Sequence, residues 1–147
     1  MLNQDHCRCG SSKPYSACCQ RLHQQQQKAT TALELMKSRY CAFCMGNYQY
    51  LIDTDKTGNP LSLADFSDQQ PESWKGLEIV DYGDNWVQFK AWYKLGNQWG
   101  CIHERSVFLN QQEQWYYLAG EALDYQLPAR NDPCVCGSTK KFKKCCM

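Results

Sequence analysis

No stretch of this 147-residue sequence approaches the roughly 20 consecutive apolar residues that a bilayer-crossing helix needs, and the mean hydropathy is negative. A transmembrane helix is therefore not expected. The opening residues, Met1 to Cys7, hold no cationic stretch followed by an apolar one, so no secretory signal is visible. Neither sign of charge prevails either, with 16 Lys and Arg against 15 Asp and Glu. What is abundant is cysteine: eleven residues, an odd count, where packing alone would use far fewer. In the cytoplasmic location expected here, such a sequence is read as metal-binding or redox-active before it is read as disulfide-bonded.

Charge and cysteine both gather at the ends. Residues 1–27 carry a formal +2, residues 28–128 carry −5 and residues 129–147 carry +4. The two ends are also copies of one another. His6 to Cys19 overlays Pro133 to Cys146 without a gap, at an offset of 127 residues, and each copy reads C-x-C-G-S-x-K, an aromatic, then C-C. Three domains follow: 1–27, a central body 28–128, and 129–147.

This spacing fits a closed zinc site. Zinc–sulfur bonds of about 2.3 Å in tetrahedral geometry put the sulfurs roughly 3.8 Å apart, which neighbouring residues on a turn can span. The C-x-C turn offers two ligands and the C-C pair two more, giving Cys7, Cys9, Cys18 and Cys19 at one end and Cys134, Cys136, Cys145 and Cys146 at the other. Gly10 and Gly137, each directly after the second thiol, would supply the positive φ of a tight turn. The alternative, a disulfide cluster, needs an oxidising compartment, and a bond between adjacent cysteines strains the peptide between them. Ordering some 15 residues costs roughly 15–30 kcal/mol of backbone entropy. Neither end has the apolar content to offset that, whereas bound zinc contributes roughly 10–16 kcal/mol in finger-like peptides. Two Zn²⁺ are expected, both structural, since four protein ligands leave no open position.

The stretch from Ala129 to Cys146 resembles the SEC-C zinc motif at the C-terminus of the SecA translocation ATPase, matching it in order from Arg130 through Cys134. Val135 stands where that motif has proline, Thr139 where it has its second glycine, and Cys146 where it has histidine. The resemblance implies the same four ligands. It also implies partners of the kind that motif contacts, an acidic protein surface or the ribosome. SEC-C copies flanking a body with L-M-x-S-R-Y-x-A-F and H-E-R-S-x-F resemble the YchJ family of small bacterial proteins, a likeness that spans the whole chain and implies no particular activity.

Within the body, Leu33, Met36, Tyr40, Phe43 and Cys44 recur at helical spacing behind a Thr31-x-x-Glu34 capping box, with Gly46 as the stop. Tyr48 to Ile52 predicts a second helix and Asp53 to Pro60 a loop. Beyond Pro71 the period becomes two, predicting about four antiparallel strands: Leu77 and Ile79, Val87 to Tyr93, Gly100 to Leu109 and Gln114 to Ala119. Helices first and hairpins after make an α+β layer. The order resembles the cystatin-like cone of the nuclear transport factor superfamily, in which helices pack on a curved sheet and often enclose a pocket.

The candidate pocket residues are Arg39, Tyr40, Glu104, Ser106, Phe108 and Trp115, with an Arg39–Glu104 pair expected beneath Tyr40 and Trp115. A structural ion pair is favoured over a general base, and no catalytic residue is assigned. Cys41, Cys44 and Cys101 are expected as small core hydrophobes, against a third metal site built with His103 or a redox C-x-x-C. The patch Lys140, Lys141, Phe142, Lys143 and Lys144 is the expected partner surface. The body's charge of −5 opposes a phosphate backbone there, so DNA is not expected. The leading expectation is a zinc-binding adaptor. Its alternatives are a small-molecule or enzymatic pocket in the cone, and redox sensing through zinc-thiolate oxidation.

Overall fold

The computed structural model describes residues 6–57, 74–135 and 140–145. Cys136, Gly137 and Cys146 thus lie outside the described residues, as do Pro60 and Pro71. Helices come first: α1 (Cys19–His23), α2 (Ala32–Met45) and α3 (Tyr48–Asp53). Four strands follow, β1 (Trp74–Tyr82), β2 (Trp86–Leu95), β3 (Gln98–Gln111) and β4 (Gln114–Ala122), paired antiparallel in the order β1-β2-β3-β4. Single 3₁₀ turns occupy Tyr15–Ala17 and Phe142–Lys144.

Helix α2 starts and stops where its local chemistry directs. The Glu34 N–H donates to Thr31 Oγ1 (3.0 Å), and the Glu34 carboxylate accepts from the Thr30 N–H (2.9 Å). At the other end Gly46 takes φ 72°, and the Asn47 and Gly46 N–H groups donate to the Ala42 and Phe43 carbonyls. These are the two bonds of a Schellman stop. Asn47 then caps α3 through its side-chain oxygen.

The strands curve over α2. Register shifts at Trp74/Gly76, Ile79/Asp81 and Val107/Phe108 mark bulges, which bend a sheet and increase its twist. Val87, Phe89, Ala91 and Phe108 face α2 and form the core with Leu35, Met36, Tyr40 and Leu51. The β3–β4 connection is tighter than the Asn110–Glu113 loop read from sequence: only Gln112 and Glu113 lie between the strands, both at positive φ, as a twist-matched two-residue hairpin requires. The strand edge at Tyr117 is covered by the chain leaving α3, through Lys56 N–H to Tyr117 O and Tyr117 N–H to Thr54 O, both 2.8 Å.

Helix α2 is buried on more than its sheet side, since Ser38, Cys41 and Ala42 have no exposed surface. The N-terminal module covers that second side. The far face of the sheet is crossed by the segment after β4, where the Leu123 N–H donates to His103 O (2.7 Å) and Tyr125 packs edge-on against Trp92. The C-terminal module then seats Phe142 against Trp99, with ring centroids 5.2 Å apart. No helix among the described residues is long and apolar enough to cross a membrane.

Candidate metal centre and the cone cavity

The repeat seen in sequence is a repeat in backbone. An isolated bridge joins His6 to Pro14, and another joins Pro133 to Lys141, 127 positions on. The Cys7 N–H donates to Lys13 O (2.6 Å) as the Cys134 N–H does to Lys140 O (2.7 Å). Each copy turns through three 3₁₀ residues into a cysteine of near-identical conformation, φ −130° at Cys18 and −129° at Cys145. Gly10 has φ 88°, so the turn after the second thiol uses the conformation that glycine permits.

In the N-terminal copy this path brings Cys7, Cys9, Cys18 and Cys19 together, with all four sulfurs within 4.8 Å of one another. Cys9 and Cys18 are 3.6 Å apart, and Cys18 and Cys19 4.0 Å. Those separations are close to the edge of a zinc–thiolate tetrahedron. All four are free thiols; Cys18 is partly exposed and the other three are buried. An all-sulfur, buried set with this spacing fits zinc chemically and sterically. Such crowding of thiols makes the protons share unequally. Hydrogen bonding to Cys19 holds Cys7 below the ordinary thiol range, and Cys19 is pushed above it by its bonds to Cys41 and Cys7. In the C-terminal copy Cys134 is buried and Cys145 exposed.

A hydrogen-bonded relay fastens the N-terminal module to α2. A carbonyl only accepts, so His23 Nε2 donates to Ser38 O (2.9 Å), which leaves Nδ1 to accept from the Tyr15 hydroxyl (2.8 Å). The Ser38 hydroxyl donates to Leu35 O (2.7 Å) and therefore accepts from Tyr50 (2.7 Å). Burial lowers the His23 pKa below its usual value and keeps the ring neutral. Sequence reasoning missed this relay.

It also missed the position of Cys41. This residue lies on α2 with its sulfur 3.5 Å from that of Cys7, inside one buried cluster with Cys7, Cys9 and Cys19. The four-residue site with Cys44, Cys101 and His103 is not formed. Cys101 and His103 belong to the sheet, where His103 hydrogen-bonds Gln88 (2.9 Å) and the Asp124 carbonyl (2.6 Å).

Between α2 and the sheet lies a cavity of about 300 Å³. Arg39, Tyr40, Glu104, Ser106 and Phe108 all line it, as the strand alternation predicts; Trp115 does not, and borders a separate cleft beside Leu22 and Ala29. Nor do Arg39 and Glu104 pair directly. Arg39 Nη1 donates to the Leu51 carbonyl (3.0 Å) and the Thr54 hydroxyl, and its guanidinium lies 4.9 Å from the Tyr117 ring centroid. Glu104 accepts from the Ser106 hydroxyl and from Tyr117 OH (3.0 Å). Tyr117 stands between the two charges because β4 pairs with β3 at Phe108↔Tyr117, beside the bulge. Burial lowers the Arg39 pKa and raises those of Tyr40 and Tyr117. Asp55 and Thr57 also line it, and the rest of the wall is apolar, with Met36, Trp74 and Phe89 prominent.

The partner patch needs one correction. Lys140, Lys141, Lys143 and Lys144 are exposed, but Phe142 is 4% exposed and faces inward onto Trp99. It anchors the module instead of offering an aromatic to a partner.

Comparison with known proteins agrees with this architecture. Residues 31–120 match the family profile described as the YchJ middle NTF2-like domain, and residues 130–147 match the SEC-C motif. UPF0225 proteins of Shewanella sp. strains MR-4 and MR-7 are each 41% identical, in alignments covering 100% of this chain and 99% of theirs. The solution structure of a SEC-C motif-containing protein from Rhodopseudomonas palustris is similar at TM-score 0.65 and 27% identity, over 81% of this chain and 99% of that one. The crystal structure of another from Psychrobacter arcticus reaches TM-score 0.62 and 26% identity, over 99% and 96%. With its central cone and terminal motif both matched, the chain belongs to the YchJ family of SEC-C motif-containing proteins.

Proposed function

We propose that the chain is a zinc protein whose two SEC-C modules brace an NTF2-like cone, and that the cone holds a small, largely apolar molecule with one polar end. The observation that carries the zinc reading is the convergence of Cys7, Cys9, Cys18 and Cys19 to within 4.8 Å. The matching backbone of the second copy supports a second ion on Cys134, Cys136, Cys145 and Cys146. Each ion has four sulfurs, so its role is to hold the chain and not to activate water. Keeping eight thiolates reduced suits a cytoplasmic setting. Chelation under reductant is expected to remove about two zinc ions per chain and lower the melting temperature. A transition unmoved by chelation, in protein that holds no zinc, rejects this reading.

The ligand-binding part rests on the cavity, whose volume reaches the lower range of small-molecule sites and whose lining combines polar groups with apolar and aromatic walls. Arg39, Tyr117, Glu104 and Ser106 would fix the polar end, and the aromatic walls would take the rest. An apolar fluorescent dye such as an anilinonaphthalene sulfonate is expected to bind once per chain. Ala91→Phe, which fills the cavity from β2, is expected to abolish that binding. Undiminished dye binding by A91F rejects the cavity as the site.

A second role, contact with an acidic protein or the ribosome, is favoured by the four exposed lysines of the C-terminal module. Co-sedimentation with ribosomes that survives K141E/K143E/K144E unchanged would remove the ribosomal form of this reading.

A further inference from the structure

The zinc reading assigns four sulfurs to the N-terminal centre, yet five are gathered there. We infer that Cys41 is a fifth sulfur ligand of this centre, able to take the position of Cys18. The inference rests on the zinc reading and adds a ligand that the repeated motif does not contain.

Its basis is the geometry of the cluster. Cys41 Sγ is 3.5 Å from Cys7 Sγ, as close as the motif's own Cys9–Cys18 pair at 3.6 Å. Cys7, Cys9, Cys19 and Cys41 form one buried cluster, whereas Cys18 sits at its partly exposed margin. On this inference a second four-sulfur set, with Cys41 in place of Cys18, shares Cys7, Cys9 and Cys19 with the motif's own set, whose sulfurs lie within 4.8 Å of one another. One is completed from the solvent side by Cys18, the other from the protein side by Cys41. With an ion bound, Cys41 in place of Cys18 would keep the donor set at four thiolates.

Cys41 is held for this role by its helix. It lies in the C-terminal half of α2, between the Thr31 cap and the Gly46 stop, with no exposed surface. A core cysteine that only fills space needs no metal-ligand neighbour, and a ligand that only completes the motif needs no fifth thiol. The arrangement has a chemical consequence. Cys18 is the sulfur that an external electrophile or oxidant reaches first, and its loss would leave the ion four-coordinate.

The test is zinc per chain in the full-length protein after exchange into buffer with a mild chelator. Wild type is expected to keep about two ions. Cys18→Ser is expected to keep about two, C18S/C41S about one, and Cys145→Ser, the equivalent change in the C-terminal copy, about one. If C18S falls to one like C145S, or if C18S/C41S keeps two, the inference is overturned. A wild type holding fewer than two ions instead counts against the underlying zinc reading. Cobalt-substituted C18S makes the point without the double variant. Its thiolate-to-cobalt charge-transfer absorbance per bound ion is expected to equal wild type; a fall in that absorbance, one sulfur having been replaced by water, overturns the inference as well.

Discussion

At their described residues the two cysteine modules share a backbone path, and they differ in what they lean on. The N-terminal one is part of the core: three of its thiols are buried, Tyr15 and His23 tie it to Ser38, and Cys41 of α2 touches its sulfurs. The C-terminal one is an outer attachment, docked through Phe142 on Trp99, with Cys145 and four lysines exposed. A short C-x-C…C-C segment carries enough local information to form the same turns twice. Whether such a module becomes load for the core or surface for a partner depends on the side chains it meets across the fold.

The largest effect that should separate the two is removal of one metal ligand from each. Cys7→Ser is expected to release the N-terminal module from α2 and uncover Leu22 and Ala29. The resulting loss of global stability is about 3–5 kcal/mol, the scale of emptying a large buried site. Cys134→Ser is expected to shift the cone's own transition by less than about 1 kcal/mol. Denaturant unfolding followed by tryptophan fluorescence checks both, and equal losses would erase the distinction.

The anchors come next. Phe142→Ala is expected to cost the C-terminal module about 3 kcal/mol of docking, seen as faster proteolysis between residues 123 and 133 with the cone's melting unchanged. Its counterpart Tyr15→Phe removes only the hydroxyl bonded to His23, and is expected to cost about 1 kcal/mol of global stability.

A pH dependence should belong to the N-terminal side. Burial holds the folded-state pKa of His23 below its ordinary 6.5. Over the interval between the two values the unfolded chain binds a proton that the folded chain does not. This contribution is complete above about pH 6.5 and declines as the pH falls, by up to about 1.4 kcal/mol per pH unit. At matched zinc content His23→Gln is expected to flatten the acid limb by that amount; an identical limb in the variant refutes the assignment. The smallest effect is expected from K143E/K144E, within about 0.5 kcal/mol in stability because both side chains are exposed.

What could be read from sequence follows the reach of each interaction. The repeat, the Thr31 and Gly46 helix ends and the alternation placing Glu104, Ser106 and Phe108 on one face are all local, and all appear in the fold. Cys41 was read as core filling because its partner Cys7 lies 34 residues away, and helical spacing does not report what covers a helix's second side. The direct Arg39–Glu104 pair failed for a similar reason. Both side chains reach the cavity, but the strand register inserts Tyr117 between them. Phe142 is indistinguishable from an exposed aromatic until Trp99, on the sheet's far face, is brought to it. Trp115 shares the inner face with Tyr117 but lies two residues nearer the β3–β4 turn, opposite Asn110, and so meets Leu22 and Ala29 beyond the end of the cavity.

The most direct measurement is elemental analysis of the full chain purified under reductant, alongside C7S and C134S. The account predicts about two zinc ions per chain in the parent and about one in each variant. Parent protein without zinc when the metal was freely supplied, or variants that match it ion for ion, would contradict it.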